Sequence, residues 1–99
     1  MPDRPGEIIA LIPAYNEVRY IADVVKRTLE HLPVIVVDDG SNDGSGAAAA
    51  LAGAKVLAHK TNQGKGAALN TGFNYAVHRR VDALITLDAD GQHDPDEIP

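Results

Sequence analysis

Apolar residues are concentrated in four short runs, at residues 8–12, 34–37, 55–58 and 83–87. The first two runs are uninterrupted, and the last is broken only by Thr86, a residue type that strands favour. Runs of this kind are typical of strands that are buried on both faces of a parallel sheet. The third run opens on a lysine, and we predict that it forms an edge strand.

The segment between the first two strands has the periodicity of a helix. Its apolar residues recur mostly at intervals of three and four, which predicts one helix with a single face on the sheet. Asn16 is suited to cap the start of this helix, and Pro33 ends it. The predicted stripe comprises Val18, Ile21, Ala22, Val25, Leu29 and Leu32.

Two further helices are predicted downstream. An alanine-rich segment at 46–52 should end at Gly53, because glycine is favoured just after a helix C-terminus. The third helix follows a glycine-rich turn at 64–66 and ends on the cations at 78–80, which suit a helix C-terminus. Its predicted apolar face comprises Leu69, Gly72, Phe73, Ala76 and Val77, with Gly72 permitting close packing on the sheet.

Strands and helices therefore alternate as βαβαβαβ. With short connections, this order predicts an α/β fold in which a Rossmann-like parallel sheet carries helices on both faces through right-handed crossovers. Ligands of such sheets bind beyond the carboxyl ends of the strands. We expect a ligand crevice at the carboxyl ends of the first, second and fourth strands.

Acidic and polar residues follow those three strands, at 15–17 (YNE), 38–39 (DD) and 88–90 (DAD). Helix capping accounts for single residues of this type, such as Asp43 and Asp94. In each carboxylate pair, however, capping uses only one residue, and the surplus negative charge is relieved by a cation or a bound donor group. Mg²⁺ or Mn²⁺ fits such a site, since either ion takes one or two carboxylates and leaves positions for water and phosphate.

The neighbours Asp38 and Asp39 are expected to have different roles. Successive side chains alternate across a strand, so only one of them faces the crevice if the strand geometry persists. The other should hold the turn or cap the next helix, and Gly40 allows the backbone to turn either way. We expect the crevice-facing carboxylate to be exposed to solvent, so that its removal has little effect on stability.

Two other ligand-binding patterns fit poorly. An EF-hand loop counted from Asp39 has Ala50 at its twelfth position, where a bidentate glutamate is needed. The turn at 64–66 resembles a phosphate loop only in part, because no Gly stands five residues before Gly64, as that loop requires. Lys65 at a helix N-terminus could still attract an anionic ligand.

The four histidines are weaker candidates for a site. We expect His31, His59 and His78 to be surface residues. His93 differs, because it lies beside Gln92 in the acidic loop after the fourth strand, and it is a candidate for a role at the ligand.

Composition narrows the class of protein. The apolar fraction of 44% and the charged fraction of 23% are ordinary for a globular chain, and the net charge of −5 argues against nucleic acid as a partner. The absence of cysteine excludes disulfides and cysteine-based zinc sites. Residues 1–7 contain no apolar stretch of the signal-peptide type, and no run approaches the roughly 18 apolar residues of a membrane span.

Four motifs of this sequence resemble, in order and spacing, those of the family 2 glycosyltransferases. They are residues 12–17 (IPAYNE), 36–41 (VVDDGS), 62–72 (NQGKGAALNTG) and 87–93 (LDADGQH). The resemblance is greatest to the branch that contains dolichyl-phosphate mannosyltransferases and bacterial polyprenyl-phosphate glycosyltransferases. It implies the N-terminal, nucleotide-sugar-binding part of a GT-A domain.

The resemblance implies a donor site for a nucleoside diphosphate sugar of the GDP-mannose or UDP-glucose type. Val37 and Asp39 would contact the base and the ribose. The implied donor-binding residues are Pro13, Ala14, Tyr15, Glu17, Val37, Asp39, Asp88, Ala89 and Asp90.

The same resemblance implies a divalent metal and an inverting sugar transfer. Residues 88–90 correspond to the DXD element, with Asp88 and Asp90 as the catalytic carboxylates. Asp90 and Gln92 would hold Mg²⁺ or Mn²⁺ against the diphosphate, with Asp88 nearby. The metal would stabilise the leaving diphosphate as a Lewis acid. The implied acceptor is polyprenyl or dolichyl phosphate, whose oxygen is already anionic.

Two other protein classes share parts of this pattern. A haloacid-dehalogenase-type phosphatase has a similar acidic motif after a strand, but Gln92 stands where that class usually has Thr. That motif also lies near the start of its domain. A phospho-acceptor receiver domain has an acidic pair after its first strand, whereas Asp38 and Asp39 follow the second strand here. Both alternatives therefore explain less of the sequence.

The acceptor site implied by the resemblance falls beyond position 99. Residues 94–97 (DPDE) have the pattern of a helix start, although only two residues follow them. We interpret residues 1–99 as one donor-binding subdomain that is truncated after the DXD loop and inactive alone. The free edge of the fourth strand could pair with another copy of the chain. The expected location is the cytoplasm, at the cytoplasmic face of the membrane in a full-length protein.

Overall fold

The structure, a computed structural model, describes residues 7–89. Over this part of the chain, strands and helices alternate in the predicted order. The elements are β1 (Ile8–Ala14), α1 (Ile21–Leu29), β2 (Val34–Asp38), α2 (Ser45–Ala52), β3 (Lys55–Ala58), α3 (Lys65–His78) and β4 (Ala83–Thr86).

The strands form one parallel sheet in the order β3-β2-β1-β4. β1 pairs with β2 on one side, with Ile12 opposite Val36, and with β4 on the other side, with Ala10 opposite Ile85. The chain therefore winds outward from β1 to β3 and then returns to the opposite side of β1. This reversal is a topological switch point, where sheets of this class bind ligands beyond the strand ends.

The core has two layers, one on each face of the sheet. α1 and α2 pack against the face that includes Ile12 and Val36, and α3 packs against the face that includes Leu11 and Val37. All four of these side chains are fully buried, and each such burial contributes about 1.5–3 kcal/mol. The predicted α/β architecture with helices on both faces is confirmed. Among the described strands, β3 is an edge strand, as predicted.

α3 lies close to the sheet through small residues. A Cβ atom at Gly72 would overlap the side chain of Leu11 on β1, which confirms the predicted close packing. The buried face of the helix consists of Ala68, Gly72 and Ala76. The prediction was wrong for Phe73 and Val77, which are 42% and 74% exposed, because the close approach turns the large side chains of the helix outward.

β4 is less buried than the sequence indicated. Ala83 and Thr86 are exposed, and Leu84 and Ile85 are half-buried. β4 lies at the edge of the described sheet, so it has a neighbouring strand only on the side of β1.

α1 begins later than predicted, at Ile21. Asn16 does not cap it: this residue has a left-handed backbone with φ of 53°, and its side-chain oxygen accepts a hydrogen bond from the backbone N–H of Asn42 at 3.0 Å. Residues 15–20 therefore form a loop that contacts the neighbouring loop after β2. No helix within residues 7–89 is long and apolar enough to cross a membrane.

Candidate functional site

An open cavity of about 350 Å³ lies at the switch point, beyond the carboxyl ends of β1, β2 and β4. Its volume is within the range of small-molecule sites, which starts near 300 Å³. Seven of the predicted donor-site residues line it. Pro13, Ala14, Tyr15 and Glu17 belong to β1 and the loop after it, Asp39 follows β2, and Asp88 and Ala89 follow β4.

The remaining wall of the cavity comes from the segment before α3 and from its first turn. Asn62, Gly64, Lys65 and Ala68 line the cavity there. The motif at 62–72 was part of the family resemblance, but Lys65 was its only residue expected to attract an anionic ligand. The glycine-rich turn before a helix was the signal that these residues reach the ligand crevice, because such turns bring backbone N–H groups close to ligands.

One predicted site residue lies away from the cavity, and two others are outside the described part of the chain. The side chain of Val37 is fully buried in the layer under α3, and it is not among the described residues that line the cavity. Asp90 and Gln92 lie outside the described residues, as do His93 and the helix start predicted at 94–97.

Asp39 is the most enclosed charged residue around the cavity, with 3% of its surface exposed. Its Oδ1 accepts a hydrogen bond from the backbone N–H of Gln63 at 2.9 Å, and its Oδ2 accepts one from that of Gly64 at 2.8 Å. The side-chain amide of Asn62 donates to Oδ2 at 3.1 Å. The expectation of a solvent-exposed carboxylate in the crevice was therefore wrong, because the loop at 59–64 wraps around this group.

His59 supplies a further hydrogen bond to the same carboxylate. Its Nδ1 lies 2.7 Å from Asp39 Oδ1, and its Nε2 lies 2.8 Å from the hydroxyl of Thr71 on α3. The His59 side chain is only 10% exposed, so the prediction of a surface histidine was wrong. A histidine at the end of an edge strand gave no sequence signal of this burial, since its partners lie 20 and 12 residues away.

The environment of Asp39 holds its carboxyl group in the charged form. Burial acts to raise the pKa of Asp39, but hydrogen bonds from His59, Gln63 and Gly64, together with the charge of His59, outweigh it. The net effect is a pKa below the ordinary value of 3.8. A charged carboxylate accepts hydrogen bonds and does not donate them, which suits the four donors around it.

Asp38 faces the opposite way and holds the turn after β2. Its Oδ1 accepts a hydrogen bond from the backbone N–H of Ser41 at 3.0 Å, and a Cβ atom at Gly46 on α2 would overlap its carboxylate. The two side chains therefore have different surroundings, as the alternation along a strand predicts: Asp38 holds the turn, and Asp39 is the member of the pair that lines the cavity. That Asp39 contacts a ligand stays a prediction.

The loop after β1 is joined to the loop after β2 by hydrogen bonds to its backbone. The N–H groups of Asn16 and Glu17 donate to the hydroxyls of Ser41 at 2.9 Å and Ser45 at 2.8 Å. The N–H of Val18 donates to the carboxylate of Asp43 at 3.2 Å. These contacts hold the loop that carries Tyr15 and Glu17 at the cavity.

Asp43 also joins this loop to the start of α2. One of its oxygens accepts hydrogen bonds from the backbone and the hydroxyl of Ser45, the first residue of the helix. The hydrogen bond from the Ser45 hydroxyl is the largest of the effects that lower the pKa of Asp43. The prediction of Asp43 as the cap residue was wrong in position, because Gly44 is the N-cap residue of α2 and provides no side-chain cap. Asp43 still accepts the first N–H of the helix, and it also fixes the loop after β1.

Lys65 and Asp88 form an ion pair at the cavity, with 3.1 Å between Nζ and Oδ1. Both side chains are partly exposed, by 66% and 32%. Within residues 7–89 there is no group of three or more side chains that could hold a metal ion. The pairing nevertheless shows that the Asp88 carboxylate is accessible to a cation from the cavity side.

The sequence is similar to proteins that transfer sugars. Undecaprenyl-phosphate mannosyltransferase from Micrococcus luteus is 36% identical over 100 residues, which cover 93% of this chain and 41% of that protein. Polyprenol monophosphomannose synthase from Mycolicibacterium smegmatis is 38% identical over 99 residues, which cover 91% of this chain and 37% of that protein. The chain thus spans about two fifths of the length of these relatives.

The fold is similar to solved structures of larger enzymes. Mannosyl-3-phosphoglycerate synthase from Rubrobacter xylanophilus superposes with a TM-score of 0.74 at 24% identity, over 88% of this chain and 32% of that one. Glucosyl-3-phosphoglycerate synthase from Mycobacterium tuberculosis, in complex with Mn²⁺, UDP and glucosyl-3-phosphoglycerate, has a TM-score of 0.66 at 23% identity, over 85% and 33% of the two chains. These likenesses support the GT-A fold.

A family model decides between the alternatives that the sequence left open. The model described as glycosyl transferase family 2 matches residues 9–99, nearly the whole chain. This match does not support the phosphatase and receiver-domain alternatives, and it confirms the resemblance carried by the four motifs. The chain belongs to glycosyl transferase family 2.

Proposed function

We propose that the cavity binds the nucleoside diphosphate of a nucleotide-sugar donor, and that the protein transfers the sugar to a polyprenyl or dolichyl phosphate with inversion. The observation that carries this proposal is the convergence of three strand ends and the start of α3 on one cavity of about 350 Å³. The names of the related transferases support the lipid phosphate acceptor. The acceptor site would be formed by residues other than those that line this cavity.

The walls of the cavity suit the parts of such a donor. Tyr15 offers a half-exposed aromatic ring for contact with the base or the sugar, and Pro13 and Ala14 line the cavity beside it. We retain Asp39 as a donor-binding residue because it lines the cavity. Each of its oxygens already accepts two hydrogen bonds, however, so its main contribution is to hold the loop at 59–64 in place.

We further propose that Mg²⁺ or Mn²⁺ joins the diphosphate to the acidic end of β4, with Asp90 and Gln92 as ligands and Asp88 nearby. The ion pair of Asp88 with Lys65 supports this placement, since the Asp88 carboxylate already has a cationic partner at the cavity. An acidic chain of net charge −5 also needs a cation between its carboxylates and an anionic ligand. When bound, the metal would stabilise the negative charge that develops on the leaving diphosphate.

The chain's own residues would orient the donor. The Lys65 ammonium and the N-terminus of α3 lie on the cavity wall and would attract the diphosphate. Glu17, held by Ser45, and Tyr15 would limit the position of the nucleoside from the side of β1. We propose that the protein acts at the cytoplasmic face of the membrane, where a polyprenyl phosphate acceptor is accessible.

The test is a binding panel by titration calorimetry. GDP, UDP, GDP-mannose and UDP-glucose are each titrated into the protein with Mn²⁺ and again with EDTA. We expect one base to bind preferentially and the affinity to fall when the metal is removed. Absence of binding by all four ligands, or equal affinity in EDTA, would contradict the donor-site or the metal part of the proposal, respectively.

A further inference from the structure

Three polar side chains form a continuous chain of hydrogen bonds behind the cavity wall. Asp39 follows β2, His59 follows β3 and Thr71 lies on α3, so the chain joins three elements of the fold. His59 is the central member, with Nδ1 at 2.7 Å from the carboxylate and Nε2 at 2.8 Å from the hydroxyl. Its backbone N–H also donates to the carbonyl of Asp38 at 2.8 Å.

The carboxylate sets the orientation of the imidazole ring. Because the Asp39 carboxylate is charged and can only accept hydrogen bonds, Nδ1 of His59 must carry a hydrogen. Nε2 can bond to the hydroxyl of Thr71 in either form of the ring, since it accepts from the hydroxyl when the ring is neutral and donates to it when the ring is charged. Both ring nitrogens are thus satisfied by partners on opposite sides of the ring.

This arrangement does not serve nucleophilic catalysis, although it has the order carboxylate, imidazole, hydroxyl. Among the described residues that line the cavity, Asp39 is the only member of the three, and neither His59 nor Thr71 reaches the cavity. The hydroxyl therefore has no access to a bound ligand. The hydrogen bonds of these three side chains instead bear on the position of the loop at 59–64.

The loop at 59–64 depends on this chain for its place in the fold. Its N–H groups at Gln63 and Gly64 donate to the Asp39 carboxylate, and Gly64 directly precedes α3. Asn62 and Gly64 line the cavity. A displacement of the carboxylate would therefore move the wall of the cavity together with the first turn of α3, while the buried strands β1 and β2 stayed in place.

We propose that His59 is a positioning residue for the donor site: by linking Asp39 to Thr71 it holds the loop at 59–64 and the start of α3 against the cavity. The effect on ligand binding rests on the proposed donor site. The effect on the loop does not, and it can be measured without any ligand.

The direct variant is His59→Phe, which keeps a flat ring and removes both hydrogen bonds. Because it could destabilise the whole domain, Thr71→Val is the second variant: it has the shape of threonine without the hydroxyl. Thr71→Ser restores the hydroxyl and is the conservative rescue. Thr28→Val is the control, since Thr28 is also a helical threonine whose hydroxyl is hydrogen-bonded, to the carbonyl of Val24 at 2.7 Å, and it does not line the cavity. Thr28 is fully buried, whereas Thr71 is half-buried, so the control substitution is at least as disruptive to packing.

The first measurement is hydrogen–deuterium exchange of the ligand-free protein. Peptides that cover residues 60–66 should exchange faster in His59→Phe and Thr71→Val, and at the native rate in Thr71→Ser. Peptides from β1 should be unchanged in the two Thr71 variants. Thr28→Val should leave residues 60–66 unaffected even where it lowers the melting temperature. Native exchange of residues 60–66 in Thr71→Val would overturn the proposal.

The second measurement is the affinity for the nucleoside diphosphate that the native protein binds best with Mn²⁺. Kd should rise about threefold in Thr71→Val and about tenfold in His59→Phe, the scale of one neutral and one charge-assisted hydrogen bond. Thr71→Ser and Thr28→Val should bind as the native protein does. If Thr71→Val and Thr28→Val change Kd equally, the positioning role is wrong. If the native protein binds no nucleotide, the proposed function fails, while the exchange measurement still decides the role of His59.

Discussion

Nζ of Lys65 lies 3.1 Å from Oδ1 of Asp88, so that an ammonium group from the start of α3 pairs with a carboxylate that follows β4. Both side chains are partly exposed, and pairs of this kind contribute only about 0–1 kcal/mol. A divalent cation that arrives with a diphosphate can therefore separate them at little cost. Lys65 would then be free to contact the diphosphate itself.

Replacement of Lys65 by Met should distinguish the competition of its ammonium group with the metal from its contact with the diphosphate. Binding of Mn²⁺ without nucleotide should become tighter, because no ammonium competes for Asp88. Binding of the nucleoside diphosphate should weaken by about 1 kcal/mol, the scale of a partly exposed charge interaction. Calorimetric titrations with each ligand measure both changes. The control is Lys60→Met, at an exposed lysine of the loop before α3 that does not line the cavity. Weaker Mn²⁺ binding in Lys65→Met would contradict the competition.

Removal of charge at the end of β4 should abolish the metal dependence of nucleotide binding. Asp90→Asn and Asp88→Asn keep the size of the side chain, and the site is an open crevice, so the fold should be retained. In Mn²⁺ the affinity should fall at least about tenfold, as expected when the surroundings of a metal are disturbed, to the value in EDTA. Asp23→Asn, on the exposed surface of α1, should bind normally. If Mn²⁺ still raises the nucleotide affinity of both site variants as much as it does in the native protein, the ion binds elsewhere.

The network around Asp39 should make the stability of the domain depend on pH in acid. The pKa of this carboxyl group is lower in the folded chain than its ordinary value of 3.8. Its contribution to the free energy of unfolding is therefore complete above that value and is lost as the pH falls through the lower, folded-state pKa. Between pH 7 and pH 3, the free energy of unfolding measured by chemical denaturation should fall less in Asp39→Asn than in the native chain. Equal acid sensitivity of the two proteins would count against the network.

Asp39→Asn itself should be less stable at neutral pH, by about 1–3 kcal/mol, because an amide nitrogen would face N–H donors that have lost an acceptor. This differs from the expectation drawn from sequence, in which the crevice-facing carboxylate was exposed and its loss harmless. Asp23→Asn again serves as the surface control. A native melting temperature for Asp39→Asn would restore the earlier expectation.

Gly40→Ala should disturb the cavity more than Gly44→Ala does. Both glycines have positive φ, at 77° and 90°, so alanine is strained at each position. At Gly40 a Cβ atom would also overlap the backbone of Thr61 and Asn62, whereas at Gly44 nothing lies within 4 Å. We expect Gly44→Ala to lower stability by about 1 kcal/mol without loss of nucleotide binding. Gly40→Ala should lose both stability and nucleotide binding. Thermal melts would measure the change in stability of the two variants, and calorimetry would measure their affinity for the nucleotide.

The sheet could be predicted from the sequence because its cause is local. An apolar run bounded by turn residues can be recognised within a few positions, and strand ends follow directly from it. The acidic groups after β1, β2 and β4 therefore converged as predicted, whereas the full set of seven lining residues was named from the family resemblance. The helical face of α3 was less certain, because the stripe through Ala68 and that through Leu69 differ by a rotation of about 100°.

The Asp39 network could not be predicted, because its members lie far apart in the chain and have no periodic relation. The preference of asparagine for helix caps also gave a wrong prediction at Asn16. Its side chain accepts a hydrogen bond from the backbone of Asn42 and not from the start of α1. In both cases the hydrogen bonds of a loop backbone decided the structure. Such bonds depend on which loops the topology brings together, and the sequence around each residue does not contain that information.

The pairing of β1 with β4 has a consequence for how the protein folds. Ile8 lies opposite Ala83, 83 − 8 = 75 positions later in the chain, and contacts of such long sequence separation form slowly. β4 is only four residues long and half-exposed, so its docking is also among the more easily reversed steps. Asp88 arrives at the cavity only with β4. A ligand that bridges Asp88 to the loops of β1 and β2 would therefore act late, trapping the last strand and slowing its release more than it slows the opening of any other part of the sheet.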